Sequence, residues 1–237
     1  MKIFPFLLMA VFIISCGTSR PNGGVLDGSS GAEYTEPEII TQSLFNDKES
    51  NLSEADIQRL LNGKIVLPDT LRIALLNYSH NRNNRYYTYY WSNEEYLQLK
   101  QRSIDTLRSQ ISALANVQKV TPMPAILANT NSKLVQMREA AVRLQSDLLL
   151  IYHLRSDIYY QYKFFQKDIA KAYATCELVL MDVRTGMIPF STIRTTEYTT
   201  RKQEQDINID ELRKRAEERA ILQTLGKVGA EVAVFLR

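Results

Sequence analysis

The sequence predicts a single α/β sandwich domain, a mixed and partly antiparallel sheet with helices packed on it. Three observations lead there. Short apolar runs of strand length alternate with helix-period stripes through the middle of the chain, the βαβ pattern of parallel pairing. Two strands of alternating character then flank a tight "RTG" turn, the pattern of an antiparallel pair. Capping signals and periodicity begin only near Leu52, which leaves residues 51–237 for one domain of ordinary size.

Each element has a local cause. In "LSEADIQRLLNG" Ser53 is placed as an N-cap, Leu52 and Ile57 as a hydrophobic staple, and Gly63 as the stop of a short helix. "LRIALLNY" (71–78) follows Pro68 as a buried strand. Ser92 and Glu95 form a capping box for a long helix whose stripe reads Leu97, Ile104, Leu107, Ile111 and Leu114. "VQKVTPMP" is a short strand that Pro122 and Pro124 place at an edge. The next helix, near 132–145, carries Leu134, Met137, Ala141 and Leu144 on one face, and it leads into "DLLLIYHL" (147–154), the strongest strand signal. In 171–183, Ala172, Ala174, Cys176, Leu178 and Leu180 face one way; Gly186 supplies positive φ to the turn, and "MIPFSTIRTTEYTT" returns antiparallel. Asn208 caps the last helix, with Glu211 at the reciprocal position and Ile207 stapling to Leu212. Gly226 and Gly229 weaken its middle, where a division into two helices is expected.

The start of the chain has a different character. Ile3 to Ile14 is apolar behind Lys2, too short to span a bilayer and suited to a secretory leader. It ends on Ile13-Ile14-Ser15-Cys16 with Gly17 next, which resembles the lipobox of bacterial lipoproteins. That resemblance implies cleavage before Cys16 and acylation of its sulfur and new amine, and two or more acyl chains anchor a protein stably. Residues 1–15 are then a signal peptide. Residues 16–50, rich in Gly, Ser, Pro and acids, read as the acylated cysteine and a flexible linker. Removing Lys2 from a chain of net charge +3 leaves a mature protein at about +2. Such a balance gives no general attraction to nucleic acid. Cys176 then has no thiol partner in the chain, so the fold must rest on its core.

"SDLLLIYHL" followed by "AYATCELVLMDVRTGMIPFSTIRT", with "RIALLNY" upstream, resembles the TolB-N-terminal-like superfamily, which includes CsgG-type secretion lipoproteins and LpoB-type activators of peptidoglycan synthases. The turn Asp182-Val183-Arg184-Thr185-Gly186 is the most telling part. The resemblance covers roughly residues 71–200. It implies a non-catalytic lipoprotein of the outer membrane, its domain in the periplasm, that binds an envelope protein such as a peptidoglycan synthase. CsgG-like pores insert two long amphipathic hairpins per subunit. Here 171–202 reads as the only long hairpin, and Arg194, Glu197, Arg201 and Lys202 mark its return strand. The sequence therefore favours a soluble adaptor over an oligomeric secretion component.

Catalytic and metal motifs are not found: no HExxH, CxxC, GxSxG or phosphate-cradling glycine loop, and no cofactor is expected. His80 falls in a polar loop, and His153 in a strand suits a structural hydrogen bond. Cys176 suits an inert buried thiol. Asp147 and Asp182 are the acids that a hydrolase would use, although capping and turn roles are commoner at such strand ends. The stretch "SHNRNNRYYTYYWSNEE" gathers Arg82, Arg85, Tyr86, Tyr87, Tyr89, Tyr90 and Trp91, residue types enriched at protein interfaces, and is the expected partner-binding loop. A second aromatic run, "DIYYQYKFF", is expected in a turn and able to join the same patch.

Overall fold

A computed structural model of the chain describes residues 37–45, 52–78, 91–128, 132–162, 167–204 and 206–237. The elements run α1 (Glu54–Asn62), β1 (Leu71–Asn77), α2 (Asn93–Ser112), β2 (Val117–Pro122), α3 (Leu134–Arg143), β3 (Leu148–Gln161), β4 (Ile169–Asp182), β5 (Phe190–Arg201) and α4 (Ile209–Phe235). The five strands form one sheet in the order β2-β1-β3-β4-β5. β1 pairs in parallel with β2 and β3, and β3, β4 and β5 pair antiparallel. This is the predicted α/β sandwich with a mixed sheet.

The sheet buries apolar side chains on both faces. On one, Ile73, Leu75, Leu148, Leu150 and Tyr152 join Leu107 and Ile111 of α2 and Leu212, Leu225, Val228 and Val232 of α4. Small residues set how closely α4 approaches: Ala170, Ala172, Ala174 and Cys176 of β4 share this cluster with Ala216 and Ala220. The Thr224 hydroxyl there lies 2.8 Å from Ala220 O and 3.1 Å from Ala174 O, so its polarity is satisfied. On the other face, α3 contributes Met137, Ala140 and Ala141 to a smaller cluster with Ala74, Leu76, Leu149, Ile151 and Met181.

Several local expectations change. β3 runs on to Gln161 rather than stopping at Leu154, and pairs with β4 over its whole length. Its apolar run ends where cover is lost from one face; beyond it Ser156, Ile158 and Tyr160 keep the α4 side while Arg155, Asp157 and Tyr159 face outward. The second aromatic run is therefore strand from Asp157 to Gln161, and its Phe164 and Phe165 lie outside the described residues. The 171–202 hairpin is accordingly joined by a second long one, β3–β4. In α2 the buried line is Leu99, Ser103, Leu107 and Ile111, and Leu97 is exposed. Ser103 enters that line because its hydroxyl bonds to Leu99 O at 2.8 Å. Leu134 of α3 is also exposed.

The caps hold more often than they fail. Ser53 caps α1, Ser92 and Glu95 complete their capping box, and Asn208 accepts from Asp210 and Glu211 N–H. Ile207 is solvent-exposed, so it forms no staple; its N–H instead donates to the Glu211 carboxylate at 2.9 Å. α4 is one continuous helix. Gly229 faces α2 so closely that a Cβ would lie 2.3 Å from Gln110 Oε1, so this glycine marks a helix contact rather than a break.

The compact unit starts at Pro37, ahead of the boundary at residue 51 read from composition. Residue Ile39 bridges to Lys64, Ile40 is buried beside Gly63, and Glu38 pairs with Arg59 at 2.7 Å. Phe45 lies against Gly186, whose φ of +76° makes the predicted tight turn. Cys16 and residues 1–36 lie outside the described residues.

Candidate interaction surface

Arg82, Arg85, Tyr86, Tyr87, Tyr89 and Tyr90, with His80, lie outside the described residues. The residues on both sides of their segment are described: the leading one is held by β3 and the trailing one by Glu217 of α4. At the leading end, Tyr78 N–H donates to Tyr152 O at 2.7 Å, and the Tyr78 ring meets His153 edge-on at 6.5 Å between centroids. At the trailing end stands Trp91.

Trp91 is 7 % exposed and belongs to the main core. Its place among the partner-contacting residues is corrected: a ring packed inside the domain offers no docking surface. Its indole N–H donates to Glu217 Oε2 at 2.7 Å, and Ser156 Oγ donates to Glu217 Oε1 at 2.6 Å. One carboxylate from α4 thus ties Trp91 to the middle of β3. Lys214 Nζ stands 5.7 Å from the centre of the Trp91 ring and reaches Glu95 at 2.7 Å. The Lys214 ammonium, with the Ser92 N–H and hydroxyl, holds the Glu95 carboxyl down at about 2. Trp91, the start of α2 and the first turns of α4 are thereby fixed together.

The second aromatic run divides between the two faces of β3. Tyr160 points to the α4 side, where the Arg213 guanidinium stands 5.0 Å from its ring centre. Tyr159 faces outward and meets Tyr173 edge-on at 5.8 Å. Around it, Lys171 pairs with Glu197 at 2.8 Å, Arg155 pairs with Glu177, and the Thr175 and Thr195 hydroxyls stand 2.9 Å apart. This outer face of β3–β4–β5 alternates charge with hydroxyl. It lacks the continuous apolar band that a lipid-facing barrel wall requires, so the extra long hairpin does not by itself supply a membrane pore.

The two candidate acids are engaged in structure. Asp147 accepts from Arg72 N, Nε and Nη2 at 2.8–3.0 Å, and the Arg72 guanidinium holds its carboxyl below the usual range. Asp182 accepts from the N–H groups of Arg184 and Thr185 and from the Thr185 hydroxyl, closing the turn ahead of Gly186. Burial pushes the Cys176 thiol up to about 12, far from the thiolate that nucleophilic or metal chemistry requires. Among the described residues no three or more His, Cys, Asp or Glu side chains stand together as a metal would need, and no helix is long and apolar enough to cross a membrane. A groove of about 530 Å³ lies beside α3, lined by Ile126, Leu127, Gln136, Glu139 and Arg143.

The Trp91–Glu217 contact is the feature that sequence reasoning missed. The signal available was the glutamate itself, which sits one position after Ala216 on the apolar side of α4. A carboxylate on such a face calls for a buried donor.

No family model matches the chain, and no curated protein matches it. Among solved structures it is similar to the protein CT253 of Chlamydia trachomatis (9% identity, 69% of this chain and 98% of that one, TM-score 0.41). It is also similar to a minor lipoprotein of Acinetobacter baumannii (7% identity, 68% and 92%, TM-score 0.35) and to lipoprotein GNA1162 of Neisseria meningitidis (13% identity, 70% and 97%, TM-score 0.28). These likenesses are too distant to transfer a function.

Proposed function

We propose that this chain is a lipid-anchored protein of the bacterial cell envelope whose α/β domain works by binding a partner protein. The anchor is Cys16, the linker is the leash, and the contact is the segment carrying Arg82, Arg85, Tyr86, Tyr87, Tyr89 and Tyr90. The observation that carries the reading is the mounting of that segment. On one side of it Tyr78 is held by β3, and on the other Trp91 is held by Glu217 of α4, which also takes Ser156 of β3. A segment rich in Tyr and Arg, carried at a fixed place on a packed scaffold, is how binding residues are commonly presented. The commitment of Asp147 and Asp182 to structural bonds supports binding over hydrolysis. An outer-membrane site, a periplasmic domain and a peptidoglycan synthase as partner extend the same proposal along the TolB-N-terminal-like resemblance.

The test is photo-crosslinking in intact cells from probes at residues 87 and 90. One dominant protein adduct is expected. Changing Tyr86, Tyr87, Tyr89 and Tyr90 together to Ala should abolish an adduct formed from a probe at residue 85, while the far-ultraviolet circular dichroism stays unchanged. Retention of the adduct in the folded variant would refute the loop as the contact.

A further inference from the structure

The first part of the compact unit is built differently from the rest. Among the described residues of 37–66 only Ile40 is buried, and it belongs to neither core cluster. Not one residue of α1 is buried. Leu67 is where the chain first packs against the main core. Residues 37–45 and α1 are therefore held to each other more than to the sheet.

What joins them is short. Lys64 N–H donates to Glu38 O at 2.8 Å, and Ile40 N–H donates to Lys64 O at 3.2 Å. Glu38 and Arg59 pair with both side chains about half exposed, so their attraction contributes little. The Ile40 side chain fills the space beside Gly63, where a Cβ would lie 2.1 Å from its Cδ1. On the domain side Phe45, itself exposed, lies over Gly186. A segment with one buried side chain and few backbone bonds opens more readily than a packed core.

We propose that residues 37–45 and α1 form a latch that opens as a unit while the sheet stays folded, giving the leash two lengths. Closed, the leash ends at Pro37, about 21 residues after Cys16; open, it ends at Leu67, about 51 residues after Cys16. Its coil dimension then rises from on the order of 25 Å to on the order of 40 Å. A pull from the anchor enters at Pro37 and meets Glu38, Ile39 and Ile40 in turn, ahead of any residue of the core. A partner that holds the domain beyond the short reach favours the open state by as much as it binds better there. The use of the longer leash rests on the anchor and partner proposed above; the opening itself does not.

The experiment is hydrogen exchange of the full mature chain in mild detergent, read by mass spectrometry on overlapping peptides at urea concentrations below the unfolding transition. The amides of Ile40, Lys64 and α1 should be protected together, and should exchange at least about 100-fold faster than those of β3, with a weaker dependence on urea. Gly63 has φ −76° and ψ 154°, which any residue adopts, so Gly63→Val acts through its collision with Ile40. It should remove protection from Ile40, Lys64 and α1 at once and leave β3 and α4 unchanged. Ile40→Ala should do the same by leaving the site beside Gly63 empty. Held by its first and last residues in optical tweezers, the natural chain should lengthen by up to roughly 100 Å, about 30 residues at 3.3–3.6 Å each, before the domain unfolds. Protection of the latch equal to that of β3, no protection of α1 in the natural chain, an equal loss in β3 from either substitution, or unfolding in a single step would overturn the proposal.

Discussion

At Trp91 a single carboxylate decides what an aromatic residue does. Trp91→Phe removes the indole N–H together with one ring of the bicycle, and leaves the Glu217 carboxylate one donor short inside the core, where it is 1 % exposed. A loss of at least about 1–3 kcal/mol is expected from the missing donor, with the lost ring volume adding to it, read as a lower midpoint in urea unfolding. Trp91 is the only tryptophan, so its fluorescence also reports burial. Blue-shifted emission that resists acrylamide quenching is expected, and emission at the wavelength of free tryptophan would contradict the placement. Glu95 gives a pH signature. Its carboxyl lies at about 2 when folded, against an ordinary value of 4.5. A group depressed on folding stabilises fully above its unfolded value, and that contribution is lost as pH falls. Stability should therefore decline between about pH 4.5 and pH 2, and Glu95→Gln should flatten that part of a curve of urea midpoint against pH. The capping box at Ser92 was legible because its partners are three residues apart. The bonds from Trp91 to Glu217 and from Arg72 to Asp147 span 126 and 75 residues, and only the fold brings them together.

Among the elements, α4 and β3 show where periodicity informs and where it misleads. The two glycines of α4 read as weak points, yet the helix is continuous and the glycines differ in role. A Cβ at Gly226 would meet only Gln110 Nε2 at 3.6 Å, an ordinary contact, whereas at Gly229 it would strike the Gln110 side chain. Gly226→Ala should raise stability by about 0.8–1.0 kcal/mol through helix propensity alone. Gly229→Leu should lower it by forcing α2 away. Thermal melts of the two variants, moving in opposite directions, check the assignment; a shared direction would contradict it. β3 was legible only to Leu154, because an apolar run signals a strand covered on both faces. Past that point one face is open, and Arg155, Asp157 and Tyr159 interrupt the run without ending the strand. Leu97 misled for a related reason: Leu99 and Leu97 both fit a helical stripe, and the choice depended on where α4 lies.

For the whole molecule, the order of elements was enough to predict a mixed sheet, since parallel pairs need crossover helices and antiparallel ones need only turns. It was not enough to assign layers. That α2 and α4 share one face while α3 takes the other follows from which side chains fit, including the small-residue lane Ala170, Ala172 and Ala174. The start of the compact unit at Pro37 was hidden for the same reason, since Ile39, Ile40, Leu44 and Phe45 are few apolar residues without strand or helix periodicity in an otherwise polar stretch. Acting as the proposed leash, the roughly 21 residues from Cys16 to Pro37 would have a coil dimension on the order of 25 Å, which would set the reach of the domain from an anchored end. Whether this domain is held at a membrane through Cys16 is decided by mass spectrometry of the first peptide of the natural protein. A chain that begins at Cys16 with a thioether-linked diacylglycerol and an acylated amine is expected; a free thiol at Cys16, or a leader still attached, would rule the anchor out.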